Sequence, residues 1–124
     1  MNYTLPQPAR RRRCPSQFSW IDQRLARERY FERASCEAWA LYLFLLTVAD
    51  PQGGSYYSQR SLCVRLGMTP ERLVGARRAL IELDLLTYRA PVYQVLALAE
   101  ATPSVRTPAA AAQRHLDRLQ RIVK

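Results

Sequence analysis

The chain has 124 residues, 48% of them hydrophobic, with a formal net charge of +9 and a pI near 10.2. That length limits it to one domain with tails, and the apolar share is enough for one core. Of its 19 basic residues only Lys124 is not arginine, a bias that favours bidentate phosphate or guanine contacts over point charges and points to nucleic acid or an anionic surface as partner.

The charge is unevenly placed. Residues 1–34 hold eight arginines and three acids, residues 35–100 six of each, and residues 101–124 five basic residues and one acid. The middle is neutral yet polarised: from Ser58 to Arg78 there are five arginines and one acid, Glu71. A single-sign patch on a neutral body suits a directed contact with a polyanion.

Residues 1–17 contain three prolines and the run Arg10, Arg11, Arg12, Arg13. They bury too little to order themselves, so a disordered arm is expected that tracks phosphates or lies along a minor groove. The plain alternative is a solubilising tail. Residues 18–34 read as a first helix, with Ser19 as cap, Asp22 in the first turn, and Trp20 or Ile21, Leu25 and Tyr30/Phe31 on an apolar side. Arg24 with Glu28, Arg29 with Glu32 and Arg33 with Glu37 are weak pairs at most.

Residues 35–50 are the most apolar segment, uncharged from Ala38 to Ala49. Twelve residues are too few for a bilayer, which takes about 20, so a central buried helix capped by Ser35 is expected, stopped by Asp50-Pro51-Gln52-Gly53-Gly54. Ser55-Tyr56-Tyr57 suits a short edge strand.

The stretch Ser58–Leu86 reads as a short helix, a tight turn and a longer helix. Ser58 is a good N-cap; Leu62, Val64 and Leu66 supply apolar positions, with Arg60 and Arg65 left for solvent. Gly67 stops the first helix, Thr69 caps the second and Pro70 fits its first position. Leu73, Ala76, Leu80 and Leu83 make one buried face. Thr69, Glu71, Arg72, Val74, Gly75 and Arg78 are the candidates for base contacts, with Arg72 and Arg78 read as opposite the buried face. Ser58, Gln59, Arg60, Arg77 and Arg89 are candidates for the phosphates. A plain helical hairpin with a solvated basic face has the same pattern.

Leu85–Arg89 and Val92–Leu98 flank Ala90-Pro91 as a β-hairpin with a very short tip, and residues 95–98 read as buried on both faces. Residues 99–108 are a linker. Residues 109–124 return to a helical pattern in which Leu116, Leu119, Ile122 and Val123 form an association stripe. A homodimer or a protein partner is expected to cover it.

Cys14, Cys36 and Cys63 are odd in number and far apart; Cys36 and Cys63 read as small buried residues and Cys14 as a free tail thiol. With one histidine, His115, no metal site or cofactor is expected, and no phosphate-binding glycine loop or nucleophile–base set appears, so the chain reads as a non-enzyme. The basic start is followed by no apolar run, so a cytoplasmic, nucleoid-associated protein is expected.

The order helix, helix, short strand, helix, turn, helix, hairpin, carried by SYYSQRSLCVRLGMTPERLVGARRALIELDLLTY and then VYQVLAL, resembles the winged helix-turn-helix family of DNA-binding domains over about residues 35–98. The expected fold is thus mainly α with a small β-hairpin. The pattern looks like bacterial and plasmid members. The resemblance implies a recognition helix from Thr69 to Arg78, a wing residue at Arg89 and double-stranded DNA as partner. It also implies work as a transcriptional regulator or an accessory factor of a mobile element or replication system. The chain departs from the pattern at Asp84, where glycine is frequent, and in its very short wing. The competing function is a non-enzymatic adaptor that binds a protein or RNA through the domain and the C-terminal helix. RNA stacking would want exposed aromatics, and most of Tyr3, Tyr56, Tyr57, Tyr88 and Tyr93 sit where burial is expected.

Overall fold

The computed structural model describes residues 2–99. The 109–124 stripe of Leu116, Leu119, Ile122 and Val123, with nearly all of the 99–108 linker, lies outside the described residues. Within them, four helices and a three-stranded antiparallel sheet follow one another. They are α1 (Arg24–Arg27), α2 (Cys36–Val48), β1 (Gly54–Tyr56), α3 (Gln59–Leu66), α4 (Pro70–Glu82), β2 (Leu86–Arg89) and β3 (Val92–Val95).

Local capping sets most boundaries. Ser35 Oγ accepts the Ala38 N–H at 3.2 Å and starts α2; Ser58 Oγ accepts the Ser61 N–H at 3.1 Å and starts α3; Thr69 Oγ1 accepts the Arg72 N–H at 3.3 Å and starts α4. Each satisfies a donor that the helix itself leaves open. Gly67 ends α3 in the left-handed region at φ 63°, and the Met68 N–H donates to the Cys63 carbonyl. Asp84 ends α4 in the same way at φ 62°, where the Leu85 N–H donates to Leu80 O and the Asp84 N–H to Ile81 O. That pair of bonds is the usual left-handed helix stop, with aspartate in the position glycine most often fills.

The sheet order is β1-β3-β2. Ser55 opposes Tyr93, which opposes Tyr88; Tyr56 opposes Val92, which opposes Arg89. The hairpin tip is Ala90-Pro91, joined by a cis peptide bond. The early strand falls on Gly54–Tyr56, one residue before Ser55–Tyr57. Asp50 shapes the loop before it: its carboxylate accepts the N–H groups of Gln52 and Gly54, each at 2.9 Å. Gly53 stands at φ 91°, and a Cβ there would overlap the Val95 carbonyl oxygen.

The core joins α2, α4 and the inner face of the sheet. Leu25, Leu41, Leu45, Leu62, Leu73, Leu80, Leu85, Leu86 and Tyr93 are each at most 1% exposed. An aromatic row runs along α2, with Phe31 edge-on to Trp39 at 5.0 Å and Trp39 edge-on to Tyr42 at 5.7 Å. Burial pushes the Tyr42 hydroxyl up to about 12.

Four expectations are corrected. The first helix does not run over residues 18–34. Asp22, not Ser19, starts it by accepting the Arg24 N–H at 2.9 Å, and it ends after Arg27. Arg29 then turns left-handed at φ 59°, and a 3₁₀ turn, Tyr30–Arg33, carries Phe31 to Trp39. Trp20 and Ile21 stay exposed, Arg24 pairs with Asp22 rather than Glu28, and Arg33 donates to the Glu28 carbonyl. Second, Val64 is 75% exposed: it lies about 200° round the helix from Leu62, so both cannot face the core. Third, Cys36 is exposed, because it opens α2 on the side away from Ala38 and Leu41. Fourth, the strand stops at Val95, and of residues 96–98 only Leu98 is buried.

Candidate nucleic-acid interface

The turn Gly67-Met68-Thr69 joins α3 to α4 and lets the longer helix lie on α2 and the sheet along one side only. Helix positions advance about 100° per residue. Leu73, Ala76 and Leu80 therefore face the core, and Glu71, Gly75, Arg78 and Glu82 come round to the opposite side, all exposed. Val74 is half-buried at its margin. Thr69 spends its hydroxyl on the cap.

Arg72 and Arg77 lie on the two flanks of α4 rather than on its outer side, which corrects the placing of Arg72 opposite the buried face. Arg72 Nε stands 4.0 Å from Glu37 Oε2 at the start of α2. Both side chains are largely exposed, so the attraction is weak. They border a shallow cleft of about 240 Å³ with Cys36, Ala40, Leu66, Gly67 and Met68. That is below the roughly 300–1,000 Å³ of ligand pockets. Arg77 is committed to the fold: its Nη1 donates to Tyr93 Oη at 3.0 Å and its guanidinium lies over the Tyr88 ring, 4.2 Å from the centroid. Burial raises the Tyr93 hydroxyl, and the Arg77 hydrogen bond opposes that rise.

Gly75 is the least explained residue of α4. A glycine inside a helix costs roughly 0.5–1 kcal/mol against alanine. Yet nothing lies within 4 Å of where its Cβ would stand. The packing of the chain therefore gives no reason for it.

A second group forms where the hairpin tip meets the start of α3. The Tyr57 N–H donates to Pro91 O at 3.3 Å. This brings Ser58, Gln59 and Arg60 to the hairpin-tip end of the sheet, where Arg89 ends the far strand. Gln59, Arg60 and Arg89 are exposed, while Ser58 Oγ is held in its cap. Sequence reasoning missed two members of this end. Tyr56, 76% exposed, and Val92 share a row with Arg89 on the outer face of the sheet. The signal was the strand register: once Tyr93 points inward, Val92 and its partners point outward.

Arg10 to Arg13 lie in a wholly exposed stretch, residues 2–20, whose one regular feature is the 3₁₀ turn Pro8–Arg10. Arg11 Nε donates to Pro8 O at 3.4 Å. Among the described residues no group of three His, Cys, Asp or Glu could hold a metal ion, and no helix is long and apolar enough to cross a membrane. Compared with protein-family models, with curated proteins and with solved structures, the chain matches none.

Proposed function

We propose that the chain is a winged helix-turn-helix protein that binds double-stranded DNA by sequence. On this reading α4 is the recognition helix, the β2–β3 hairpin a short wing, and the protein a transcriptional regulator or an accessory factor of a mobile element or replication system. One observation carries the reading. α4 is capped, packed along one side only, and turns outward a strip that includes the charged pair Glu71 and Arg78. A helix held in that way can enter a major groove with its N-terminal half leading. Arg60, Arg72, Arg89 and the arm residues Arg10 to Arg13, all exposed, supply the phosphate contacts that fix register without reading bases.

The test is selection of duplexes from a random pool at several salt concentrations. A sequence preference that persists as salt rises, on top of a salt-dependent background, is the expected result. Binding that falls with salt and never enriches a sequence would reduce the protein to a non-specific polyanion binder.

A further inference from the structure

We infer that Gly75 is the point of closest approach of α4 to the duplex, and that Glu71 and Arg78, about one turn on either side, read a cytosine and a guanine. The inference rests on the DNA-binding reading above and assigns that site its base preference. The three residues share the outward strip, opposite Leu73, Ala76 and Leu80. Between them stands no side chain, because Gly75 has none and meets nothing within 4 Å. A bare backbone between two polar side chains lets the helix sink until both reach base edges.

The charges decide what each can meet. A carboxylate on the leading strip is repelled by phosphates, and its partner among base edges is the amino group of cytosine; arginine matches the two acceptors of guanine. Arg72, on the flank beside Glu37, and Arg77, held by Tyr93, are not placed to compete. Seven residues span about 10.5 Å of helix. At about 3.4 Å per step, the two bases stand roughly three base pairs apart. Glu71 also lies in the first turn of α4, where the helix dipole favours an anion. That role changes thermal stability and leaves base preference alone, so the two are separable.

The experiment repeats the random-duplex selection with the full chain and with Glu71→Ala, Arg78→Ala and Gly75→Ala, and records the melting temperature of each. The wild type should recover a cytosine and a guanine about three positions apart. Glu71→Ala should relax only the cytosine and Arg78→Ala only the guanine, by about five- to 150-fold in discrimination. Gly75→Ala should melt about 2–8 °C higher and bind the selected duplex at least about tenfold more weakly. Unchanged affinity in Gly75→Ala, or a Glu71→Ala site identical to the wild-type site, overturns the inference while DNA binding stands. Failure of the wild type to enrich any duplex overturns both.

Discussion

Arg77 Nη1 donates to Tyr93 Oη at 3.0 Å while its guanidinium plane covers the Tyr88 ring. One side chain thereby ties α4 to both strands of the hairpin. The Tyr93 hydroxyl is taken out of water by the fold, so removal of its donor leaves a polar group unpaired at about 1–3 kcal/mol. Arg77→Ala should lose that much in urea unfolding. In a Tyr93→Phe background the same change should cost clearly less, because the hydroxyl is already gone. Strictly additive losses would mean that Arg77 acts through the Tyr88 ring alone.

Gly53 and Gly67 both have positive φ, and they should respond differently to alanine. The left-handed conformation alone costs about 1–2 kcal/mol. Gly67 has open space at its Cβ position, so that is its whole penalty. At Gly53 the Cβ would also overlap Val95 O, next to the bond from Val95 N to Gly53 O at 2.9 Å. Gly53→Ala should therefore destabilise more than Gly67→Ala and loosen the β1–β3 pairing, read as faster amide exchange at Val95. Equal losses would count against the close approach.

Arg10 to Arg13 should add affinity without sequence choice. Consecutive arginines in an exposed segment neutralise phosphates and release counterions, each steepening the fall of log K with log salt by about 0.9 on duplex DNA. Changing all four to alanine should flatten that slope by up to roughly 3.6 on specific and random duplexes alike. A marked fall in the ratio of specific to random affinity would instead assign the arm to a narrow minor groove.

The Asp22–Arg24 pair sets a pH dependence. The Arg24 side chain and then its backbone N–H hold the Asp22 carboxyl below its usual value. A carboxyl depressed in the folded state stabilises the protein above its unfolded pKa of about 3.9, and that stabilisation is lost as pH falls through the lower folded value. The advantage of wild type over Asp22→Asn at pH 7 should close in acid, measured by urea unfolding across that range. The alkaline limb has the opposite sign. Tyr42, raised to about 12 by burial, gives stability that is whole below about pH 10 and lost as pH rises toward 12, and Tyr42→Phe should remove that limb.

Three of the four helix starts were legible because they are local. Ser35, Ser58 and Thr69 each need only a backbone N–H three residues on. Asp84 stood out in the sequence only as a departure from the resembled pattern; its left-handed backbone, at φ 62°, came from the structure. Arg72 was misplaced although helical rotation alone sets it on the flank. The break at Arg29 left no such trace. Arginine is no turn residue, and the reason for the break is spatial: Phe31 reaches Trp39 on another helix. Arg77 reads in one dimension as one more basic residue on a basic helix. Its partners Tyr88 and Tyr93 lie 11 and 16 positions away and meet it only once the hairpin has closed.

Arg24 also donates from Nη1 to the Ala99 carbonyl at 3.0 Å while its other nitrogens hold Asp22. Both ends of the body are thus gathered at one guanidinium. Residues 1–21 carry four arginines and no acid, and residues 101–124 five basic residues against one acid, whereas residues 35–100 balance. Two positive segments start from the same corner of a neutral body. On the DNA-binding reading, both segments are tethered at one point from which their arginines can reach a polyanion.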